Sequence, residues 1–373
     1  MKKSLLALIP AVLLSLGLSA CKEKEPETFE VAVVTDVGQL NDGGFNQGTY
    51  EGAVAFAQAN NMTYKYYQPA NGANATDNDR IAAMNQAIEN GAKIIVTPGF
   101  LQYAALADVS SKNPEVKFVF VDGWIDNGLG NNVTAICYKE EESGYFAGYG
   151  AVMDGYTKLG GTFGGGGTNA ACNRFALGYV QGANDAATAK NLGLGAIDVR
   201  ISFQYGSSFS ASNELQTQIS GWYQAGTEVV FSCGGSMLQS VKSAAAEYKE
   251  QGAMIIGVDV DQAAESEQVL TSAVKGLNPS VQKVLGEWKE GKWDTDLAHK
   301  LSNLGAADNA TGLPTAEGSW RFKTFTVAQY QALFDQVKNG QVTISNEIAA
   351  NMDNALAWEA ENAILPKLHI RYE

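Results

Sequence analysis

From residue 29 onward, apolar runs of strand length alternate with longer segments in which apolar residues recur at helical spacing. "FEVAVVTD" leads into "FNQGTYEGAVAFAQANN", "TYKYYQP" into "DNDRIAAMNQAIENG", "AKIIVTP" into "LQYAALADVSSKN", and "KFVFVDG" closes the series. Runs that are apolar at every position belong to strands buried on both faces, which predicts a parallel sheet covered by helices. After "VTAICY" and the helical "EESGYFAGYGAVMDG" the pattern restarts with "KLGGTFGG", "AIDVRISFQ", "TEVVFSCGG" and "MIIGVDVD", again separated by helical segments. The reading is an α/β chain of two lobes, each a mostly parallel sheet flanked by helices, with repeated topology but no repeated sequence. The segment "VLTSAVKGLNPSVQKVLGEWKEG" reads as one more strand and helix that complete the first lobe. The expected lobes are therefore residues 29–138 plus 261–305 and residues 139–260 plus 306–373, with chain crossings near 138, 260 and 305.

Open parallel sheets bind ligands beyond the carboxyl ends of their strands, and two facing lobes direct those ends into one cleft. The segments of interest are therefore residues 36–46, 98–103, 122–124, 164–168, 205–209, 234–237 and 259–262.

The residues ahead of the first strand change the picture of where the protein works. Lys2 and Lys3 precede an apolar run that closes on "LSAC", so residues 1–20 read as an export signal rather than as part of the fold. Small residues directly before Cys21 are what a lipoprotein signal peptidase requires, which predicts a lipid on Cys21 and a charged tether over residues 21–28. No later stretch reaches the roughly 20 apolar residues that span a bilayer, so membrane attachment is expected through the lipid alone.

The length suggests two domains. Lys and Arg number 26 against 40 Asp and Glu, a net charge of −14 that argues against nucleic acid as a partner. Beyond Cys21, the cysteines Cys137, Cys172 and Cys233 have no metal-ligand spacing and read as small apolar core residues. With only His299 and His369 in the chain, histidine-based zinc chemistry has no material, and no cofactor or metal is expected.

Three motifs need weighing. "GGSML" starts like a nucleophile elbow but ends in Leu238, and neither histidine follows a strand where it would serve a serine. "GGGTNA" matches a dinucleotide fingerprint in form, but the next strand carries Asp198 at its start instead of an acid at its end. Glycines that turn a strand sharply into a packed helix explain it better. "DVDQ" lacks the continuation of a calcium loop; Asp259 reads as a hydroxyl acceptor and Asp261 as a cap for the following segment.

The loop after the first strand holds the most chemistry. Asp36 ends that strand and should face the cleft, whereas Asp42, three residues before Phe45, suits the capping of a helix. Phe45 serves either to staple the turn to the core or as a flat platform. Beside Asn46, whose amide both donates and accepts, the platform suits a nucleobase or a sugar ring.

These residues resemble the basic membrane lipoprotein family, also called purine nucleoside receptor A-like, the substrate-binding lipoproteins of nucleoside ABC importers. The resemblance rests on "VTDVGQLNDGGFNQGTYEG", "VFVDG", "EESGYFAGYGA", "FALGYVQGAN", "IIGVDVDQ" and "VLTSAVKG", in that order between about residues 29 and 275. It implies a type I periplasmic-binding-protein fold whose hinge has several chain crossings. It also implies a purine nucleoside held between the lobes, with Asn46 and Asp122 reading the base and Phe45 stacking on one face. Phe209, or its rival Tyr205, would stack on the other. Asp259, Lys275 and a backbone group near Gly234 would hold the ribose, and Asp36 would line the same site. The chain departs from the family pattern at Gly44, where a serine is usual, in the glycine-rich stretch 162–173, and in a longer tail from residue 312.

The expected protein is an extracytoplasmic, lipid-anchored monomer without catalysis, delivering a purine nucleoside to an ABC permease. The alternatives are a sugar or autoinducer receptor of the same fold and a cofactor-using α/β enzyme.

Overall fold

A computed structural model describes residues 28–37, 39–204, 209–347 and 365–373. The expected signal segment, Cys21, most of the tether and Tyr205 lie outside the described residues.

The first sheet has the order β2 (Tyr64–Tyr67), β1 (Val31–Val34), β3 (Ile94–Pro98), β4 (Lys117–Val121), β5 (Val133–Tyr138) and β11 (Leu301–Leu304). All its pairs are parallel. Val31 and Val33 point to one side, with α1 (Phe45–Ala59) and α8 (Leu277–Lys289). Ala32 and Val34 point to the other, with α2 (Asp77–Glu89) and α3 (Tyr103–Lys112). Both faces of the central strands β1, β3 and β4 are thus dry, which is why their runs are almost wholly apolar, whereas the edge strands β2 and β11 are partly exposed.

The second sheet has the order β13 (Leu368–Tyr372), β7 (Ile197–Phe203), β6 (Lys158–Phe163), β8 (Val229–Cys233), β9 (Met254–Asp259), β10 (Val269–Lys275) and β12 (Thr311–Gly312). Among the described strands of this sheet only β12 runs antiparallel, against β10. One face is covered by α4 (Glu140–Asp154), α5 (Ala170–Ala189) and α9 (Val327–Lys338), the other by α6 (Asn213–Gln224) and α7 (Leu238–Glu247). Helices α4 and α5 touch backbone to backbone. A Cβ on Gly144 or Gly148 would lie 2.2 or 2.0 Å from the carbonyl oxygens of Phe175 or Tyr179, and one on Gly178 or Gly182 would lie 2.0 Å from those of Glu141 or Tyr145.

One boundary differs from the sequence reading. Strand β10 pairs with β9 in the second sheet, so residues 261–275 belong to the second lobe and the crossing expected near 260 falls after Lys275. The α8 that follows packs on the first lobe against α1. A strand buried on both faces carries the same apolar pattern in either sheet, so periodicity alone could not assign it. The other crossings fall between Tyr138 and Glu140 and between Leu304 and Thr311. They are tied together at the start of α4: Glu142 accepts from the Ala306 N–H at 2.5 Å and the Thr311 hydroxyl at 2.6 Å. Ser143 donates to the Val274 carbonyl at 2.7 Å and accepts from Gly312 N–H at 2.9 Å.

Candidate functional site

The strand ends of both lobes enclose a cavity of about 590 Å³. Asp36, Phe45, Asn46, Asp122, Phe209, Gly234, Asp259 and Lys275 all line it.

On the first lobe, Asp42 organises the wall. Its carboxylate accepts from the N–H groups of Gly44 at 2.9 Å, Asn46 at 3.0 Å and Gln47 at 3.2 Å, so it caps α1 from two residues ahead of the backbone N-cap, Gly44. This presents Phe45 and Asn46 in the first helical turn. The Asn46 amide donates to the Val37 carbonyl at 3.2 Å, while its oxygen is buried without a partner among the described residues. Asp36 lies against Gly99, whose φ is +101°; a Cβ there would come within 1.9 Å of the carboxylate, so only glycine admits it. Burial pushes the Asp36 carboxyl up to about 7, opposed by the Val37 N–H and the charge of Arg80.

On the second lobe, Gly234 follows β8 with a φ of +139°, and a Cβ there would meet Phe209 at 3.0 Å. Phe209 in turn reaches across the cleft to Phe100 of the first lobe, ring centroids 6.2 Å apart in an edge-to-face arrangement. Gln262 also spans the cleft: its oxygen accepts from Val258 N–H and its Nε2 donates to the Gly43 carbonyl, each at 2.8 Å.

Lys275 is the electrostatic centre. Its side chain is 3% exposed, and Nζ lies 2.6 Å from Asp122, 3.3 Å from Glu140 and 3.6 Å from Asp259. The same ammonium stands over the Phe45 ring at 5.2 Å and the Phe175 ring at 5.3 Å. Burial opposes its charge, but the combined pull of Asp122, Glu140 and Asp259 carries it well above the ordinary lysine range, and it stays protonated. Burial raises both Asp122 and Asp259, against the attraction of that ammonium. One Asp122 oxygen, Oδ1, is buried and without a hydrogen-bond partner among the described residues. A flat ring, unpartnered acceptors and a carboxylate–ammonium pair suit a neutral polar ligand with a planar apolar face.

Sequence reasoning missed several groups. Glu140, fully buried, binds both Lys275 and, at 2.6 Å, Arg174. Phe175 and Phe100 line the cavity; both lay within stretches singled out in the sequence, but nothing marked their direction. Cys172 and Cys233 are buried and free, as small core residues should be, yet they also form part of the cavity wall. Asp261 accepts from Ala263 N–H at 3.1 Å, bonds the Ser319 hydroxyl, and does not line the cavity.

Comparison with known proteins fits this architecture. The nucleoside-binding protein BmpA of an ABC transporter in Lactococcus lactis is 30% identical, over 83% of this chain and 93% of its own. The CD4+ T-cell-stimulating antigen of Listeria innocua is 29% identical, over 78% and 85% respectively. Among solved structures, a solute-binding protein of an Aeropyrum pernix ABC transporter superposes with a TM-score of 0.75 at 19% identity, covering 91% of this chain and 99% of its own. The profile of the Bmp family, described as PnrA-like ABC transporter substrate-binding proteins, matches residues 29–353. With its two lobes, interlobe cavity and these relatives, the chain belongs to the Bmp family of ABC transporter substrate-binding proteins.

Proposed function

We propose that this substrate-binding protein captures a purine nucleoside between its lobes and delivers it to the permease of an ABC importer, held at the membrane by a lipid on Cys21. The observation that carries the reading is the company kept in one cavity: the Phe45 ring, the unpartnered acceptors of Asn46 and Asp122, and the Asp259–Lys275 pair. A base offers a face to stack and N–H donors for the two acceptors. A ribose diol offers hydroxyls that both donate to a carboxylate and accept from an ammonium. The name of the Lactococcus lactis relative, nucleoside-binding, agrees with this choice.

Calorimetry with adenosine, guanosine, inosine, free ribose and a dinucleotide in parallel tests the proposal. Tight binding of at least one purine nucleoside, with ribose and dinucleotide far weaker, is expected. Tight binding of ribose alone would reassign the cleft to a sugar.

A further inference from the structure

Two of the free cysteines meet in the cavity wall. Cys233 ends β8, and Cys172 lies in the first turn of α5, where Asn169 accepts from its N–H at 2.8 Å. The topology brings them together. Strand β8 pairs with β6, and α5 is the helix that follows β6, so the end of one strand stands beside the start of the helix leaving its neighbour. The Cys172 thiol donates to the Cys233 carbonyl at 4.0 Å, and the two thiols are themselves in hydrogen-bond contact. Both line the cavity, whereas Cys137, on β5 of the first lobe, does not.

The two sulfurs differ in character. Cys172 sits at the positive end of a 20-residue helix, a position that favours the negative charge a sulfur carries when it attacks. Its neighbour Ala171 also lines the cavity, so the start of this helix is approached through the cleft. Cys233 is set deeper, and burial, reinforced by the adjacent Cys172 thiol, pushes it well above the ordinary thiol range. One cysteine is thus placed to react first and the other to wait, protonated, beside it.

We infer that Cys172 and Cys233 form a thiol–disulfide exchange site opening into the cleft, which takes a small disulfide and closes into a bond within the cavity wall. The Cys172 thiolate attacks one sulfur of the small disulfide; a bond to Cys172 Sγ forms, the small S–S bond breaks, and its electron pair leaves on a thiolate. Cys233 then attacks Cys172 Sγ and expels the second small thiolate. The protons of the two protein thiols end on the two leaving groups, so two protein thiols are oxidised and one small disulfide is reduced to two thiols. ABC-importer substrate-binding proteins work outside the cytoplasm, where such bonds form and persist.

The bond bears on the ligand through α5. An S–S bond of about 2.05 Å is much shorter than a hydrogen bond between thiols, so closing it draws the first turn of α5 toward β8. Phe175, three residues after Cys172 and on the same helix face, lines the cavity with its ring 5.3 Å from the Lys275 ammonium. Oxidation therefore alters the wall against which a ligand packs, and a ligand in the cleft shields Cys172. This consequence rests on the nucleoside reading above; the exchange itself does not.

The test treats the purified protein with bis(2-hydroxyethyl) disulfide at pH 8 and follows it by intact mass and non-reducing peptide mapping, with inosine calorimetry before and after. The expected product is two hydrogens lighter than the reduced protein and carries a Cys172–Cys233 cross-link. Cys233→Ser should stop at a hydroxyethylthio adduct on Cys172, Cys172→Ser should give no cross-link, and Cys137→Ser should oxidise like the unmodified protein. Saturating inosine should slow the cross-linking at least about fivefold, and the oxidised form should bind inosine about tenfold more weakly until dithiothreitol restores it. Cys172 and Cys233 both left free at the end of the reaction would overturn the inference. So would a cross-link whose rate inosine leaves unchanged together with an inosine affinity within about twofold in the two forms, which would place the thiols outside the path of the ligand. If a serine variant does not fold, the peptide map of the unmodified protein decides. If inosine binds neither form, the nucleoside reading falls by itself, and the presence or absence of the cross-link decides the exchange site.

Discussion

Asp122 and Asp259 approach one ammonium from opposite lobes. Asp122 follows β4 and Asp259 ends β9, strands that hold the same place in their sheets, between β3 and β5 and between β8 and β10. Both take left-handed backbone, with φ of +56° and +68°, and Lys275 Nζ lies 2.6 Å from one and 3.6 Å from the other. Non-glycine residues in that region cost about 1–3 kcal/mol each and persist where the surroundings impose them, here by turning two strand-end carboxylates toward the same charge.

Removing that charge should be expensive. Lys275→Met leaves Asp122, Glu140 and Asp259 buried without a counter-ion, and a loss of roughly 3–5 kcal/mol in denaturant unfolding at pH 8 is expected. The loss should shrink at pH 5, where protonation relieves Asp122 and Asp259, whose carboxyls burial already raises, and Glu140→Gln added to Lys275→Met should recover part of it. A loss under about 1 kcal/mol at pH 8 would refute the central role given to Lys275.

The two ends of a bound nucleoside should respond to different residues. Phe45→Ala is expected to weaken a purine nucleoside by roughly 1–3 kcal/mol, the usual value of base–aromatic stacking. Asp259→Asn should cost roughly 1.5–3 kcal/mol for a nucleoside through the loss of a charged hydrogen bond. A 2′,3′-dideoxynucleoside should be nearly indifferent to Asp259→Asn and still sensitive to Phe45→Ala, and calorimetry on the two variants checks both.

Asp36 makes stability depend on pH in an unusual direction. Its folded pKa is raised from 3.8 to about 7, so the folded state holds the proton more tightly than the unfolded chain between those values. Stability from this group is therefore fully present below about pH 4 and is lost as pH rises through 7, by up to roughly 4 kcal/mol. Asp36→Asn should remove that decline, so the thermal midpoints of variant and wild type should diverge from pH 5 to pH 8 in favour of the variant. Parallel curves over that range would rule the assignment out.

Gln262 should govern release more than capture. Gln262→Glu keeps the acceptor for Val258 N–H but sets an oxygen against the Gly43 carbonyl, breaking the bond between lobes. Ligand dissociation is expected to quicken about tenfold, equivalent to about 1.4 kcal/mol, with association changed less than twofold in stopped-flow traces.

Cys21→Ala should abolish lipidation and leave the protein in the aqueous phase on detergent partitioning. Unchanged membrane retention would remove the anchor from the functional picture.

Much of this site was legible because a buried parallel strand must end somewhere, and the polar residue at its end has only the cleft to face. Asp36, Asp122 and Asp259 were found that way. Glu140 was not: a helix start is an ordinary place for acidic residues, and nothing in the pattern says that Glu140, Glu141 and Glu142 are all buried. The partnership of Asp122 with Lys275 was hidden for a different reason, since residues 153 positions apart meet only once both sheets are assembled. Asp42 was legible in kind, as a cap, though it reaches the helix from farther back than a standard N-cap. The tail was assigned to the second lobe, but its strand, β13, is a largely exposed edge strand with polar residues at His369 and Arg371, so no apolar run marks it, and it pairs with β7 at the sheet's open edge.

The backbone contact between α4 and α5 also bears on how freely the chain can vary. Every amino acid other than glycine brings at least a Cβ, and at Gly144, Gly148, Gly178 and Gly182 that atom has nowhere to go. In a saturation library these four positions should therefore be as intolerant as the ligand contacts themselves. A map of mutational tolerance drawn without the structure would mark a second functional site where there are only two helices with no smaller residue to fall back on.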